Sequence, residues 1–179
     1  MTDDRNYSIH APKASGVVLS QSLHRDFTEF KTSSPPDVVG VVSSSSVRSL
    51  RKGATELARY FRREFHYDFV LFSEAAHGSH DKDRAFLYSH EPYLRSLRGF
   101  RVVPLIGCVS FRWRENDPPG YALQWVWLHP YYRGHGLLSR SWEYFKVRFG
   151  EFTVEEPLSS AMKHFLSKQS QTGKSSPIA

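Results

Sequence analysis

The chain has 179 residues, of which 40% are hydrophobic and 15% aromatic, enough to bury one sizeable core. Its formal net charge of +6 would suit an anionic partner, but ordinary solubility charge is the simpler explanation because the basic residues are scattered among acidic ones. The only cysteine, Cys108, excludes an internal disulfide framework. No apolar run reaches the length that crosses a bilayer, and the N-terminus is acidic where a signal peptide is basic. We therefore expect one soluble, cytoplasmic domain.

Both ends of the chain differ in composition from its middle. Residues 1–35 mix polar residues and prolines around one short apolar patch, which predicts a flexible N-terminal arm. Residues 168–179 are polar and without periodicity, which predicts a flexible tail. The folded domain is therefore expected to span residues 36–167.

The folded part begins with a β-branched run, Val38–Val42, which predicts a buried strand. Between Val47 and Phe65 apolar residues recur every three or four positions, which predicts an amphipathic helix capped by Ser46. Arginines and a lysine occupy the other faces of this helix, and a solvated surface explains them more simply than nucleic-acid binding does. Further strands are predicted at Phe69–Phe72 and Ala85–Tyr88.

Two long extended runs follow, Phe100–Trp113 and Tyr121–Leu128, and the turn residues between them predict an antiparallel hairpin. The pattern from Gly136 to Phe149 predicts a helix. A short strand at Phe152–Val154 and a last helix at Ser159–Leu166 complete the chain. This order of elements predicts a mixed α/β fold rather than a bundle or a sandwich.

The hairpin leads into a turn with two glycines, Gly134 and Gly136, and then into a helix. Such a strand, turn and helix form an anion site, because the unpaired N–H groups of the first helical turn converge at the positive end of the helix dipole. Glycine lets the backbone approach a pyrophosphate, and Arg133 adds a positive charge. The pattern fits neither a P-loop nor a dinucleotide fingerprint, so the anion is expected to belong to another cofactor.

The run from Val126 to Leu138, VWLHPYYRGHGLL, resembles the acetyl-CoA motif of the GNAT superfamily of N-acetyltransferases. The signature of that motif is Arg/Gln-x-x-Gly-x-Gly/Ala. The resemblance implies a GNAT-like fold, in which a mixed, mostly antiparallel sheet is flanked by helices and two strands splay apart at the acetyl-CoA site. It also implies that the Val126 N–H faces the thioester carbonyl. The implied acetyl-CoA contacts are Val126, Trp127, Leu128, Arg133, Gly134, His135, Gly136, Leu137, Leu138 and Ser139.

A narrower similarity, to the acetyltransferase domain of the cohesin-acetylating (ESCO-like) enzymes, implies a protein lysine as the acceptor. It rests on Trp127-Leu128, on Ser139-Arg140, Glu143 and Phe149, and on the segment from Glu156 to Ala161. The chain lacks the two cysteines of the zinc finger found in that family.

The proton-handling residues of these families are replaced here. Ala122 stands where histone-type members carry a glutamate base, Ser160 where the cohesin-type enzymes carry an aspartate, and Phe165 where many members carry a tyrosine acid. The carboxylates nearest the expected cleft are Glu115, Glu155 and Glu156, of which we favour Glu156 as the base; Ser160 is the second catalytic candidate. His77 and His80 lie in a polar loop without a thiolate cluster, and we expect no metal.

Three functions remain open at this stage. The first is an enzyme, an N-acetyltransferase that moves an acetyl group from acetyl-CoA to an amine, with a protein lysine ahead of a small amine as acceptor. The second is a catalytically weakened domain that senses CoA or binds a protein. The third is a basic accessory protein that binds nucleic acid. The sequence leaves the acceptor, the general base and acid, the oligomeric state and the host open.

Overall fold

A computed structural model describes residues 16–19, 37–68, 70–72, 81–89, 95–97, 100–116 and 119–172 of the chain. The strands in chain order are β1 (Gly16–Leu19), β2 (Val38–Val42), β3 (Arg84–Ser89), β4 (Arg95–Leu97), β5 (Phe100–Arg114), β6 (Gly120–Leu128) and β7 (Thr153–Val154). The helices are α1 (Arg48–Phe65), α2 (Leu137–Phe149) and α3 (Ser160–Thr172), and a 3-10 turn spans Pro130–Tyr132.

The sheet runs in the order β2, β3, β5, β6, β7, and β1 and β4 both pair with the first part of β5. Every pairing among the described strands is antiparallel except the last one, in which β7 lies parallel to β6. A chain reversal joins β5 to β6, as the hairpin prediction required, whereas α2 carries the chain from β6 to the parallel β7.

Helices cover both faces of the sheet. On one face, α1 buries Leu57 and Phe61 against Trp125 and Trp127 of β6. On the other face, α2 and α3 pack over β3, β5 and β6 in a cluster of buried and partly buried side chains that includes Phe86, Phe111, Leu137, Trp142, Phe145, Met162 and Phe165. The mixed α/β class with a mostly antiparallel sheet flanked by helices is therefore confirmed.

Several sequence-based element predictions need correction. Ser46 does not cap α1: its hydroxyl oxygen accepts a hydrogen bond from Ser43 N at 2.9 Å, and Val47 occupies the N-cap without a side-chain bond. Residues 70–72 form a bend rather than a strand, although Phe72 is buried as its apolar character suggests. Phe69 lies outside the described residues.

The ends of the folded region also differ from the compositional boundaries. Helix α3 continues to Thr172, past position 167, and a short strand, Gly16–Leu19, lies within the stretch expected to be an arm. The polar composition of residues 168–172 does not prevent them from being helical. The apolar patch around Val17 pairs with the first part of β5, whose edge is available there. Cys108 is buried, as expected, and burial raises the pKa of its thiol.

Gly107 lies where β5 passes close to Leu128 and to the backbone of Trp127 on β6. A methyl group there would overlap Leu128 Cδ2 and lie 2.9 Å from Trp127 O, whereas one at Gly40 would meet its nearest neighbour, Leu50 Cδ2, at 3.5 Å. Gly107→Ala should therefore lower the free energy of unfolding by ~1–3 kcal/mol through overpacking. Gly40→Ala should change it by less than ~1 kcal/mol in urea titrations. Equal effects of the two variants would contradict this close approach.

Candidate functional site

Strand β6 carries a bulge in its middle. Trp125 is paired with Ser110 of β5, but the next β5 residue, Phe111, is paired with Leu123. Gln124 is therefore an extra residue with no opposite partner, which bends the strand and shifts its side-chain alternation. As a result, Leu123 contributes to the core under α2 and α3, while Trp125, two residues later, contributes to the core under α1.

Beyond the bulge, β6 loses its other neighbour. Strand β7 pairs with β6 only at Ala122 and Leu123, and the last contact is the hydrogen bond that Glu155 N donates to Leu123 O at 3.0 Å. A cavity of about 210 Å³ lies where the two strands part. Its walls are mostly apolar: they are formed by Phe61, Phe65, Tyr67, Leu123, Gln124, Trp125, Val126, Val154, Glu155, Pro157, Leu158, Ser159 and Met162. The predicted splay of two strands is therefore present at this edge.

The hydrogen-bonding phase of β6 shows which way its backbone groups point. His129 N donates to Ile106 O at 2.8 Å, so this pair is of the hydrogen-bonded type. Because the two types alternate along an antiparallel ladder, the pair Val126 and Val109 is of the non-hydrogen-bonded type. The N–H and C=O of Val126 therefore point away from β5, toward the side on which the cavity opens, and no described residue bonds to them.

The two-glycine turn lies at the far end of the same strand. Gly134 and Gly136 have φ angles of +78° and +75°, values that glycine adopts without strain. No described atom lies within 4 Å of the place where a Cβ of Gly134 would be, so the backbone there is open to a ligand. Residues 133–135 are exposed.

Helix α2 begins directly after this turn. Its first hydrogen bond is donated by Arg140 N to Gly136 O at 3.0 Å. The N–H groups of Leu137, Leu138 and Ser139 therefore precede the intrahelical ladder and have no carbonyl to bond within the helix. The side chains of Leu137 and Leu138 are buried in the core, so these two residues offer only their backbone to the turn. Counted from Arg133, the last Gly/Ala position of the signature falls on Leu138.

Arg133 is held by an ion pair that the sequence does not reveal. Its two terminal nitrogens donate to the two carboxylate oxygens of Glu64 at 2.6 and 2.7 Å, and its Nε donates to Leu128 O at 2.9 Å. Glu64 also accepts a hydrogen bond from Trp127 Nε1 at 2.9 Å. The positive charge of Arg133 is therefore compensated by the Glu64 carboxylate, and its side chain ties the turn to the end of α1.

A second arginine holds the other side of the turn. Arg140 donates from Nη1 to the carbonyl of His135 at 2.8 Å and from Nε to Asp37 Oδ2 at 2.8 Å. Asp37 and Arg140 are 103 positions apart in the chain, and nothing in the spacing of either residue indicates the contact. Asp37, Glu64 and the clamping role of Arg140 were therefore missed by the sequence reading.

The two catalytic candidates lie beyond the cavity walls. Glu156 and Ser160 are exposed and do not line the cavity between β6 and β7, whereas Glu155 does. The carboxylate of Glu155 is bound by Arg112 Nε at 2.6 Å and by Arg114 Nε at 3.0 Å. The one carboxylate among the described residues that line this cavity is thus engaged with arginines, and neither Glu156 nor Ser160 lies on its wall.

The other two positions at which the family resemblance implies proton-handling groups carry apolar, packed side chains. Ala122 is buried on β6, and Phe165 packs edge-on against Trp142 with ring centroids 4.9 Å apart. Trp127 stacks on Tyr60 of α1, so its side chain belongs to the core. The side chain of Trp127 is therefore not available to a ligand, and the predicted acetyl-CoA contact there would have to use its backbone.

Comparison with known proteins identifies no close relative of the chain. No family model and no curated protein matches the chain. Among solved structures, the chain is similar to a ribosomal-protein-alanine N-acetyltransferase from Brucella melitensis biovar Abortus 2308, with a TM-score of 0.43 and 15% sequence identity. The similarity covers 78% of this chain and 90% of that one. Because so low a score does not establish a shared fold, the case for a function depends on this chain's own residues.

The described part of the chain contains neither a metal-binding cluster nor a membrane-spanning helix. No three His, Cys, Asp or Glu residues there lie close enough together to hold a metal ion. His77 and His80 fall outside the described residues. None of the described helices has both the length and the apolar character needed to cross a membrane.

The Glu64–Arg133 pair should be worth more than an exposed ion pair. The Glu64 side chain is only 6% exposed, while in the pair between Lys146 and Glu143 the two side chains are 43% and 75% exposed. A double-mutant cycle with Glu64→Gln and Arg133→Gln should give a coupling energy of ~1.5–3 kcal/mol. The matched cycle with Glu143→Gln and Lys146→Gln should give less than ~0.5 kcal/mol in the same denaturation experiment. A coupling energy near zero for Glu64 and Arg133 would mean that this ion pair does not form in solution.

Proposed function

We propose that the protein is an acetyl-CoA-dependent N-acetyltransferase of the GNAT type that acetylates an amine, with a protein lysine as the favoured acceptor. One observation carries this proposal. The outward-facing backbone at Val126 and the open glycine turn lie on one continuous segment, residues 126–139. A thioester carrier that ends in a diphosphate needs both features, one at each end of an extended arm. We also propose the cytoplasm as its location, since the only cysteine, Cys108, has no partner for an internal disulfide.

The residues of the turn fit the diphosphate. The open space at Gly134 is a cradle that a side chain would fill, and the amides of Leu137, Leu138 and Ser139 supply donors at the positive end of α2. The side chains of Arg133 and Arg140 hold this turn in place through Glu64 and Asp37 rather than pointing an uncompensated charge at the ligand. Binding would therefore depend mainly on the backbone.

The residues of the strand fit the thioester. The edge of β6 beyond the bulge offers Val126 N–H and C=O to an extended arm lying beside it, as an added strand would. In the transfer step the amine nitrogen attacks the carbonyl carbon, the C–S bond breaks and the thiolate of CoA departs. A donor aimed at the carbonyl oxygen stabilises the charge that develops there, and we assign this role to Val126 N–H.

The acceptor must lose a proton, and the cavity supports a way to do so without a dedicated base. Its walls are mostly apolar and aromatic, and burial in such surroundings lowers the pKa of an ammonium group because it disfavours the charged form. The proton would then pass to water. Glu156 and Ser160 remain our candidates for assisting it through solvent, since both are exposed next to the segment that closes the cavity.

A second function has one observation in its favour. Glu155 supplies the only carboxylate among the described residues that line the cavity, and two arginines bind it. The same arrangement would suit a domain that binds CoA and a protein partner but transfers acetyl groups poorly. Binding of acetyl-CoA would be common to both functions, and release of the CoA thiol would separate them.

The diphosphate site is tested by a pair of substitutions that differ only in charge. Gly134→Asp and Gly134→Asn impose similar backbone strain, but only the aspartate repels a diphosphate. We expect Gly134→Asp to weaken acetyl-CoA binding by at least about tenfold relative to Gly134→Asn in isothermal titration calorimetry. Equal affinities would place the diphosphate elsewhere. If acetyl-CoA did not raise the thermal stability of the unmodified protein, both CoA-binding functions would be wrong. The third candidate function, nucleic-acid binding, would then be the one to test.

The oxyanion donor is tested by replacing one amide with an ester. An ester at Val126 removes its N–H but no bond of the ladder with β5, so kcat for thiol release should fall about 100- to 1,000-fold while stability changes little. An ester at Ser110, which faces Trp125 in a hydrogen-bonded pair, should lower stability and leave kcat within a few-fold. If the Val126 ester retained full kcat, another group would have to bind the oxyanion.

A further inference from the structure

The last turns of α1 form a basic groove beside the cavity between β6 and β7. The groove has a volume of about 690 Å³ and is lined by Arg59, Arg62, Arg63, His66, Tyr67, Asp68 and Val70. Three of these seven side chains are arginines, and one is acidic. Tyr67 lines both the groove and the cavity, so the two spaces lie on either side of one residue. We define these seven residues as the α1 groove.

Two arginines of the α1 groove have donors that no described residue occupies. Arg62 donates from Nε to Tyr67 O at 3.0 Å, and no described residue accepts from its terminal nitrogens. The guanidinium of Arg63 lies 5.8 Å from the ring centroid of Tyr60 and has no carboxylate partner in the described part of the chain. Because its Nε is already hydrogen-bonded, Arg62 loses less side-chain entropy when its terminal nitrogens bind a carboxylate.

The nearby acidic side chains leave Arg62 and Arg63 without a carboxylate partner among the described residues. Glu64 is engaged by Arg133, and Glu56 is paired with Arg59. Asp68 is thus the only carboxylate that lines the α1 groove itself. The groove therefore presents uncompensated positive charge directly beside the place at which the proposed acceptor amine would enter.

We propose that the α1 groove binds an acidic segment of the acceptor protein, so that the preferred acceptor amine is flanked by aspartate or glutamate residues. The inference deepens the proposed function and rests on it. A protein segment is favoured over a nucleic acid because the cavity next to Tyr67 is narrow and apolar. About 210 Å³ admits an aliphatic amine chain, and a peptide can carry both that amine and the carboxylates. Carboxylates also match the planar donors of Arg62 and Arg63.

The test uses three fluorescein-labelled peptides that differ only in the residues beside a central lysine: glutamates, glutamines or arginines. Fluorescence anisotropy measures their binding, and mass spectrometry measures their acetylation with acetyl-CoA present. The glutamate peptide should bind about tenfold more tightly than the glutamine peptide at low ionic strength, and the difference should shrink as salt is added. The arginine peptide should bind weakest.

Matched variants connect the preference to the groove. Arg62→Gln with Arg63→Gln removes two charges from the last turn of α1, and Lys146→Gln with Arg148→Gln removes two from the last turn of α2. Only the α1 variant should lose the preference for glutamate, with KM for that peptide rising about tenfold. Arg63→Gln alone leaves the Arg62–Tyr67 bond intact and should lose part of the preference. Affinity for acetyl-CoA should stay unchanged in all of them.

The possible failures are distinguishable. If the α1 groove did not prefer the glutamate peptide, or if the α2 variant lost the preference equally, the acidic-segment proposal would be overturned while acetyl transfer could stand. Tighter binding of a single-stranded RNA oligomer through the same arginines would overturn it in favour of a nucleic acid. Absence of acetyl-CoA binding would sink the proposed function, and the peptide anisotropy would still decide what the groove binds.

Discussion

The site depends on a single interruption in the pairing of β6. One extra residue, Gln124, bends the strand, and from that point β7 no longer follows it. Inside a sheet, the backbone N–H and C=O groups of a strand normally bond to the neighbouring strands. A strand edge that lacks a neighbour next to a cavity can therefore bind a ligand through these groups. If β7 continued to pair with β6, Val126 would bond to β7 and the cavity would close. The loss of a few hydrogen bonds is thus what makes a ligand site there.

Two ion pairs fix the other end of that site. The glycine turn has little side-chain packing of its own, since residues 133–135 are exposed and both glycines have positive φ. Arg133 ties it to Glu64 on α1, and Arg140 ties His135 to Asp37 next to β2. The motif arginine would then act as a brace for backbone donors rather than as a donor to the ligand. Such preorganisation lowers the entropy that binding must overcome.

Much of the fold could be predicted because it depends on local patterns. The period of apolar residues located α1 and α2, and the run of proline and glycine after Asn116 located the hairpin. The bend at residues 70–72 was mistaken for a strand because a short apolar run reads alike in either conformation. The long-range pairs could not be predicted, since Glu64 and Arg133 lie 69 positions apart. The direction of Val126 N–H also depends on the β5 register, which one strand alone does not specify.

The charge distribution around the cavity bears on how an amine could react there. Its interior is mostly apolar, and the one carboxylate among its described lining residues is already bound by Arg112 and Arg114, so little there stabilises an ammonium ion. A lysine entering the cavity is therefore driven toward the neutral form that can attack a carbonyl, at a cost in binding. Attraction outside the cavity can offset that cost. The α1 groove is placed to attract carboxylates of the acceptor. The groove would then recognise the acceptor and the cavity would activate its amine, and these two surfaces meet at Tyr67.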